Sequence, residues 1–438
     1  MLVNPGGPGG SGLSLAALGQ IMPGGSGRFY DWIGFDPRGV GASRPALSCL
    51  PGYFHRDRPP YIPTTTAIRD TWLARAQSYV NACEANAPVL LQNMRTADVA
   101  RDMNRIRMAL GRPRINYFGY SYGTYLGQVF ATMFPDQVRR MVLDSNVNPT
   151  RVFYQANLDQ GPAFERVIQR WFGWIARHDG VYRLGKTRFA VQRLFYRTEQ
   201  SLKRRPAGGI VGPSEWDDAF LLPGYAQVTW PDFAKVFSAW ARHHRARPLV
   251  RAYRSIDTPG DDNGFAVYNA VQCTDARWPT RWARWERDNS RLNRIAPFLT
   301  WGNVWFNAGC RVWPVQGGPR VHVNGHRVRA LLLDETLDAA TPYKGSLAVR
   351  KRFPRSSLVA TIGGTTHAAS PNLSPRCVNR RIGAYLRTGK LPERRPGRRA
   401  DVTCRPLPPP RATRAAAKGF TNALQPTLVP LVTLQAAR

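Results

Sequence analysis

The 438-residue sequence is poor in acidic residues, with 28 aspartates and glutamates against 62 lysines and arginines and a formal charge of +34. Such a balance raises the question of a polyanionic partner, such as nucleic acid or an anionic cell envelope. The sequence lacks zinc-finger spacing, an RNP motif and a basic helix that leads into heptads, and its arginines are spread along the chain. We therefore predict a solvated, arginine-rich surface and no specific nucleic-acid partner.

The sequence also lacks the segments that would place it in a membrane or direct it across one. It contains no run of about 18 apolar residues, and its first residues show no basic region that leads into an apolar stretch. Neither a transmembrane segment nor a signal peptide is predicted. Hydrophobic residues make up 43% of the chain and aromatic residues 11%, which allows a large core formed by one α/β domain with an insertion.

Cysteine is scarce, and its arrangement does not fit a metal site. The six cysteines include no C-x-x-C pair and none beside a histidine that could be a ligand, so no metal site is predicted. They form three couples that are adjacent in the sequence: 49 and 83, 273 and 310, and 377 and 404. The even number favours disulfides in an oxidising compartment. Six cysteines nevertheless allow 15 connectivities, and buried free thiols in a cytosolic enzyme are the alternative.

Hydrophobic periodicity divides the chain into four parts. Short apolar strands alternate with helical stretches in residues 1–149 and again in 326–405, as in a parallel sheet with crossover helices. Residues 150–325 are mostly helical and hold 11 of the 13 tryptophans, which predicts a cap inserted between the two halves of the core. The Pro- and Ala-rich residues 406–438 are predicted to form a poorly ordered tail. The predicted strands are 30–35, 115–118, 140–143, 328–333 and 358–362, and the predicted core helices are 96–110, 122–134 and 343–352.

One short motif indicates nucleophilic chemistry. Residues 119–123, Gly-Tyr-Ser-Tyr-Gly, fit the G-x-S-x-G nucleophile elbow, in which a sharp turn between a strand and a helix lifts the hydroxyl of a strained serine clear of the backbone. The pattern alone is weak in a chain with 39 glycines. Its context strengthens it, because an apolar strand leads into the motif and a helix-compatible run follows it. We predict Ser121 as the nucleophile.

A serine nucleophile needs a base and an acid that orients the base, and in this fold the order along the chain is serine, acid, histidine. Of the seven histidines, only His367 follows a core strand after the cap. Three carboxylates follow the preceding strand: Asp334, Glu335 and Asp338. Asp338, which stands just before Ala-Ala-Thr-Pro, is predicted to be the acid and His367 the base.

A glycine-rich loop at residues 4–12, Asn-Pro-Gly-Gly-Pro-Gly-Gly-Ser-Gly, can supply the oxyanion hole. Its glycines let backbone amides approach a carbonyl oxygen closely. Because Pro8 has no N–H group, the Gly7 amide is predicted to act together with the amide of Tyr122. A flexible linker or a phosphate-binding loop is the alternative, but no G-K-[ST] follows.

Several motifs together resemble the secreted tripeptidyl aminopeptidases, which belong to the proline iminopeptidase-like serine peptidases of the α/β-hydrolase fold. The resemblance covers both predicted core halves, roughly two thirds of the chain. The motifs are residues 4–12, 36–45, 96–102, 119–126, 134–136, 338–342, His367 and 377–404, of which the last resembles the TAP-like C-terminal domain of that family.

The resemblance implies a serine exopeptidase that needs no cofactor and releases short peptides from free amino termini. It also implies the pairs Cys49–Cys83 and Cys377–Cys404 and a secreted or cell-envelope location, although this chain shows no signal peptide. In the family two or three strands precede the glycine-rich loop, so the first strands of the sheet are expected to be missing here. Lys344 stands where such enzymes often carry an acid, which predicts a changed charge near the site.

Two other functions remain open at the level of sequence. An esterase or amidase that acts on small molecules would use the same triad, whereas a non-catalytic basic binding protein would leave the order of Ser121, Asp338 and His367 unexplained. An aminopeptidase also needs carboxylates to hold the substrate ammonium group. Asp217, Asp218 and Asp275 are candidates, but each is better interpreted as an ordinary surface or ion-pair acid, and we assign no binding residue from sequence.

Overall fold

A computed structural model describes residues 1–55, 58–256 and 260–413 and contains one parallel sheet of seven strands in the order β2-β1-β3-β4-β5-β6-β7. The strands are β1 Leu2–Asn4, β2 Ile33–Gly34, β3 Ile115–Tyr120, β4 Val138–Asp144, β5 Ala330–Glu335, β6 Ser357–Thr361 and β7 Val402–Cys404. Every strand pair is parallel. This sheet, flanked by helices, confirms the predicted α/β-hydrolase fold.

The central strands are largely buried because both faces of the sheet are covered. All six residues of β5 and all five of β6 are buried. Phe118 of β3 pairs with Val142 of β4, which in turn pairs with Leu331 of β5. Because the strands are parallel, their carboxyl ends, and the loops that follow them, lie at one edge of the sheet.

Among the described residues, seven α-helices lie outside the segment between β4 and β5. Predicted helices 96–110, 122–134 and 343–352 are present with boundaries shifted by one residue. The seven are α1 Leu18–Ile21, α2 Thr66–Asn86, α3 Pro88–Leu91, α4 Thr96–Ala109, α5 Tyr122–Met133, α16 Lys344–Arg352 and α17 Arg376–Thr388. Short 3-10 helices lie at Leu13–Ala17, Pro23–Phe29 and Pro135–Gln137.

The chain between β4 and β5 is helical and contains no named strand among its described residues. Its helices are α6 Tyr154–Arg177, α7 Asp179–Tyr182, α8 Arg188–Ser201, α9 Pro213–Ala219, α10 Leu222–Tyr225, α11 Trp230–His243, α12 Ala246–Arg254, α13 Asn263–Asp275, α14 Trp282–Asn293 and α15 Thr300–Asn307, with 3-10 turns at Gln227–Thr229 and Ala308–Arg311. We call these elements the cap. The boundaries predicted at residues 149/150 and 325/326 stay a prediction.

The tryptophans of the cap pack between its helices. Trp171 and Trp216 are completely buried and both contact Phe195 and Phe220. Such aromatic pairs contribute roughly 0.5–1.5 kcal/mol each beyond the area that they bury. The abundance of tryptophan in this part of the sequence therefore reflects the cohesion of the cap.

The six cysteines form three disulfides, Cys49–Cys83, Cys273–Cys310 and Cys377–Cys404, as the sequence-adjacent couples predicted. They close loops with sequence separations of 34, 37 and 27 residues. None of the three loops overlaps another, and the second lies entirely within the cap.

Peptide mapping without reductant is expected to recover these three linked pairs. In the chain-entropy model each pair stabilises the fold by roughly 3–4 kcal/mol, so reduction should lower the melting temperature markedly. Six alkylatable thiols in protein isolated from its native compartment would contradict both the pairing and an oxidising location.

No helix of the described residues is long and apolar enough to cross a membrane. Of the predicted tail, residues 406–413 are described and adopt no regular secondary structure. The rest of the predicted tail, residues 414–438, lies outside the described residues.

Candidate active site

Ser121 occupies a sharp turn between β3 and α5. Its φ of 53° and ψ of −126° are unusual for a residue with a side chain. Two glycines make room for the turn, because a Cβ at Gly119 would lie 2.5 Å from the Gly123 carbonyl oxygen and a Cβ at Gly123 would lie 2.7 Å from that of Asn4. The strand, turn and helix that the G-x-S-x-G motif requires are therefore all present, with Ser121 at the carboxyl edge of the sheet.

His367 and Asp338 are brought together after strands β6 and β5. The Nδ1 atom of His367 lies 2.7 Å from Oδ2 of Asp338, and both side chains are fully buried. Asp338 also accepts hydrogen bonds from the amides of Ala340 and Thr341, at 2.9 and 3.0 Å, and from the Thr341 hydroxyl at 3.0 Å. These donors fix the carboxylate, which in turn fixes the imidazole ring.

The second ring nitrogen of His367 is free. Its Nε2 atom is buried and has no hydrogen-bond partner among the described residues. The backbone amide of His367 donates to the Tyr225 carbonyl at 2.8 Å, and the two rings meet edge to face at 5.6 Å. A histidine held in this way can exchange a proton only through Nε2.

The loop that carries His367 is anchored to the ends of β3 and β4 by contacts that the sequence did not reveal. The Ala368 amide donates to the Ser145 hydroxyl at 2.8 Å, and the Ser370 amide donates to the carboxylate of Asp144 at 2.9 Å. The Tyr120 hydroxyl donates to the Ser370 carbonyl at 3.0 Å. Two polar residues, Asp144 and Ser145, stand directly after the apolar run 141–143, and this is the sequence signal that could have identified them.

The glycine-rich loop after β1 packs directly on the nucleophile turn. A Cβ at Gly6 would lie 2.9 Å from both the Cβ of Ser121 and the amide nitrogen of Tyr122. Gly6 and Gly7 have φ values of +102° and +106°, which favour glycine. Gly7 and Tyr122, the predicted oxyanion donors, line the same cavity as Ser121.

That cavity has a volume of about 730 Å³ and lies between the core loops and the cap. Asp338 and Thr341 line it from the core, and residues of α6 and α14 line it from the cap. None of its described lining residues is a tryptophan. Its volume falls within the usual range for a small-molecule or peptide site, roughly 300–1,000 Å³.

None of the three acids considered for ammonium binding lines this cavity. Asp218 forms an ion pair with Arg58 at 2.8 Å, and Asp217 lines a much smaller cavity of about 30 Å³. Asp275 accepts hydrogen bonds from the amide, at 2.7 Å, and the hydroxyl of Thr96. That hydroxyl also contacts the Tyr122 hydroxyl at 2.6 Å, so Asp275 supports Tyr122, the residue that follows the predicted nucleophile.

Burial raises the pKa of several carboxyl groups near the site. It raises the pKa of Glu335 to about 8 and also raises the pKa of Asp144 and, more strongly, of Asp334. The Glu335 carboxylate accepts the Thr366 amide at 2.6 Å, directly beside His367. Because the ordinary pKa of Glu335 is 4.5, the folded protein retains a proton there between pH 4.5 and about 8 that the unfolded chain releases, and stability falls as the pH rises through that window.

The variant Glu335→Gln is expected to remove this part of the pH dependence. Glutamine can accept the Thr366 amide without an ionisation cost, so at pH 8 the variant should exceed the wild type in stability by roughly several kcal/mol. Near pH 4.5 the gain should disappear. Thermal melts across this range check the result, with exposed Glu286→Gln as the control. An equal difference at both pH values would contradict a buried, protonated carboxyl.

Two family models and several curated proteins match the chain. A model described as alpha/beta hydrolase fold matches residues 1–263, and one described as TAP-like protein matches residues 296–404. The tripeptidyl aminopeptidase of Streptomyces lividans is 40% identical over 94% of this chain and 78% of its own length. In Mycobacterium tuberculosis, serine protease Hip1 is 29% identical over 90% of this chain and 79% of its own length, and carboxylesterase B is 30% identical over 90% and 78%.

Proposed function

Because the chain belongs to the α/β-hydrolase family with a TAP-like C-terminal region, and is therefore a hydrolase, we propose that it is an aminopeptidase with the triad Ser121, His367 and Asp338. The observation that carries this proposal is the buried pair of His367 and Asp338, whose free Nε2 atom is the only proton acceptor that the ring retains. The similarity to a tripeptidyl aminopeptidase supports peptides as the substrate class.

In the proposed mechanism the hydroxyl oxygen of Ser121 attacks the carbonyl carbon of the peptide bond. His367 takes the hydroxyl proton on Nε2 and returns it to the leaving amine, while Asp338 holds the ring tautomer and stabilises the imidazolium. The amides of Gly7 and Tyr122 donate to the oxyanion. A water molecule then releases the acyl group from Ser121 by the same proton transfers, and no cofactor takes part.

Exopeptidase action requires a group that binds the substrate ammonium inside the cavity. Three carboxylates line it: Asp159, Asp288 and Asp338. Asp338 serves His367, and Asp159 is bound through both oxygens by Arg151. Asp288 has looser partners, with the guanidinium nitrogens of Arg287 and Arg284 at 3.4 and 3.7 Å.

We therefore assign ammonium binding to Asp288. Its side chain is 25% exposed, and it also accepts a hydrogen bond from the Tyr154 hydroxyl at 3.1 Å. An ammonium group placed there would set the distance from the amino terminus to Ser121, which limits cleavage to short amino-terminal peptides. Hydrolysis of one chromogenic peptide with a free and with an acetylated amino terminus tests this assignment.

An esterase that acts on small molecules is the second candidate, and the similarity to carboxylesterase B favours it. The same triad would cleave an ester through the same acyl-enzyme. The two candidates differ in the need for a charged amino terminus, which an ester substrate lacks.

The proposed location is outside the cytosol. All six cysteines are paired, and disulfides of this kind persist in secreted and cell-envelope proteins.

A further inference from the structure

Besides Arg151, which is paired with Asp159, three cations line the large cavity. Arg166 comes from α6, Arg291 from α14 and Lys344 from the first position of α16, so cap and core both contribute. Each is exposed, and among the described residues none of the three forms an ion pair or hydrogen bond that would neutralise it. All three therefore bring unneutralised positive charge to a concave site.

The carboxylates of the cavity do not balance these cations. Asp159 is neutralised by Arg151 through two contacts, and Asp338 is engaged by His367. Asp288 lies near two arginines of its own helix. The wall thus keeps an excess of positive charge, and a concave surface of low dielectric concentrates such a field.

We infer that the enzyme prefers anionic peptides, whose carboxylates are bound by Arg166, Arg291 and Lys344 while the amino terminus is held elsewhere in the cavity. This inference rests on the proposed function, because it takes the cavity as the peptide site. Arginine is suited to the task because its guanidinium group matches a carboxylate in a bidentate geometry. The carboxylate can come from an acidic side chain or from the carboxyl terminus of a short peptide.

Alanine-based peptides test the inference and separate the two sources. One set of peptide amides carries Glu, Gln or Lys at a single position downstream of the cleaved bond, and a second pair differs only in a free or amidated carboxyl terminus. We expect kcat/KM for the Glu peptide to exceed that for the Gln peptide at least about tenfold at low salt and the Lys peptide to be the poorest. The advantage should shrink as salt rises from about 20 to about 500 mM.

Matched variants connect the preference to these side chains. Lys344→Gln and Arg166→Gln should each lower the Glu-to-Gln ratio by about threefold. Lys351→Gln and Arg170→Gln are the controls, because each is an exposed cation on the same helix as its counterpart but does not line the cavity. These two variants should leave the ratio unchanged.

Equal kcat/KM for the Glu and Gln peptides, together with equal values for the free and amidated carboxyl termini, would overturn the inference. A ratio unaffected in the Lys344→Gln, Arg166→Gln double variant would also overturn it. Binding of the same peptides to Ser121→Ala, measured by calorimetry, keeps the two proposals apart. If no peptide is hydrolysed but the Glu peptide binds more tightly than the Gln peptide, the peptidase proposal is refuted and the charge preference is supported. If the peptides are hydrolysed without a preference for Glu, the peptidase proposal is supported and the charge preference is refuted.

Discussion

Replacement of Ser121 or His367 by alanine is expected to lower kcat by on the order of 10⁵–10⁶-fold, since triad members act as a unit. The circular dichroism spectrum should not change, because neither substitution removes a contact of the sheet. A fluorophosphonate probe should label the wild-type protein at Ser121 and leave Ser121→Ala unlabelled. Labelling at another serine would contradict the assignment of the nucleophile.

The acid is tested by comparing three buried aspartates at the same edge of the sheet. Asp338→Asn should lower kcat by on the order of 10⁴-fold, because the amide would hold the imidazole in the wrong tautomer. Asp144→Asn and Asp334→Asn are the controls, since neither contacts the ring directly: Asp144 binds Ser370, and Asp334 binds Ser346. A loss from either control far greater than that from Asp338→Asn would show that the acid has been misassigned.

Acetylation of the substrate amino terminus is expected to lower kcat/KM at least about a hundredfold, which corresponds to about 2.7 kcal/mol of transition-state binding. The cost arises because the cap encloses the cavity and Asp288 would lose the charged partner that positions the peptide. The measurement compares one chromogenic peptide in its free and acetylated forms at the same ionic strength. Equal rates would remove the aminopeptidase proposal and leave an esterase or an endopeptidase.

Asp288 itself is tested by the same pair of substrates. Asp288→Asn should reduce the preference for the free amino terminus by about tenfold, mainly by slowing hydrolysis of the free peptide. Glu286→Gln is the matched control, because it lies on the same helix, is exposed and does not line the cavity. An unchanged preference in Asp288→Asn would place ammonium binding elsewhere.

The central strands could be predicted from sequence because buried parallel strands are continuous apolar runs. The strands at and near the edges of the sheet could not be predicted in this way. Strands β1 and β7 have only three residues each, too few to show a pattern, and the predicted strand 30–35 shortens to Ile33–Gly34. The chain leaves the sheet there because Asp36 accepts hydrogen bonds from the Ser11 hydroxyl, at 2.6 Å, and the Gly12 amide, at 3.1 Å.

The predicted site residues could be named because the order of serine, acid and histidine left one suitable base, and the structure places His367 against Asp338. The cap residues of the cavity could not be named. A cluster of acids such as Asp217 and Asp218 does not show in the sequence whether its side chains face the cavity. Asp218 in fact forms an ion pair with Arg58, which is distant in the sequence. Which helical faces meet the core depends on packing between segments that no local pattern encodes.

The cap separates Ser121, in the first half of the core, from Asp338 and His367 in the second. During synthesis β3 therefore leaves the ribosome well before His367 has been made, and a partly made chain holds the proposed nucleophile without its proposed base. In the proposed triad, hydrolysis begins only when β5 and β6 join a sheet that already contains β3 and β4. In the proposed mechanism, only a chain completed through β6 and the loop that carries His367 can therefore hydrolyse a substrate.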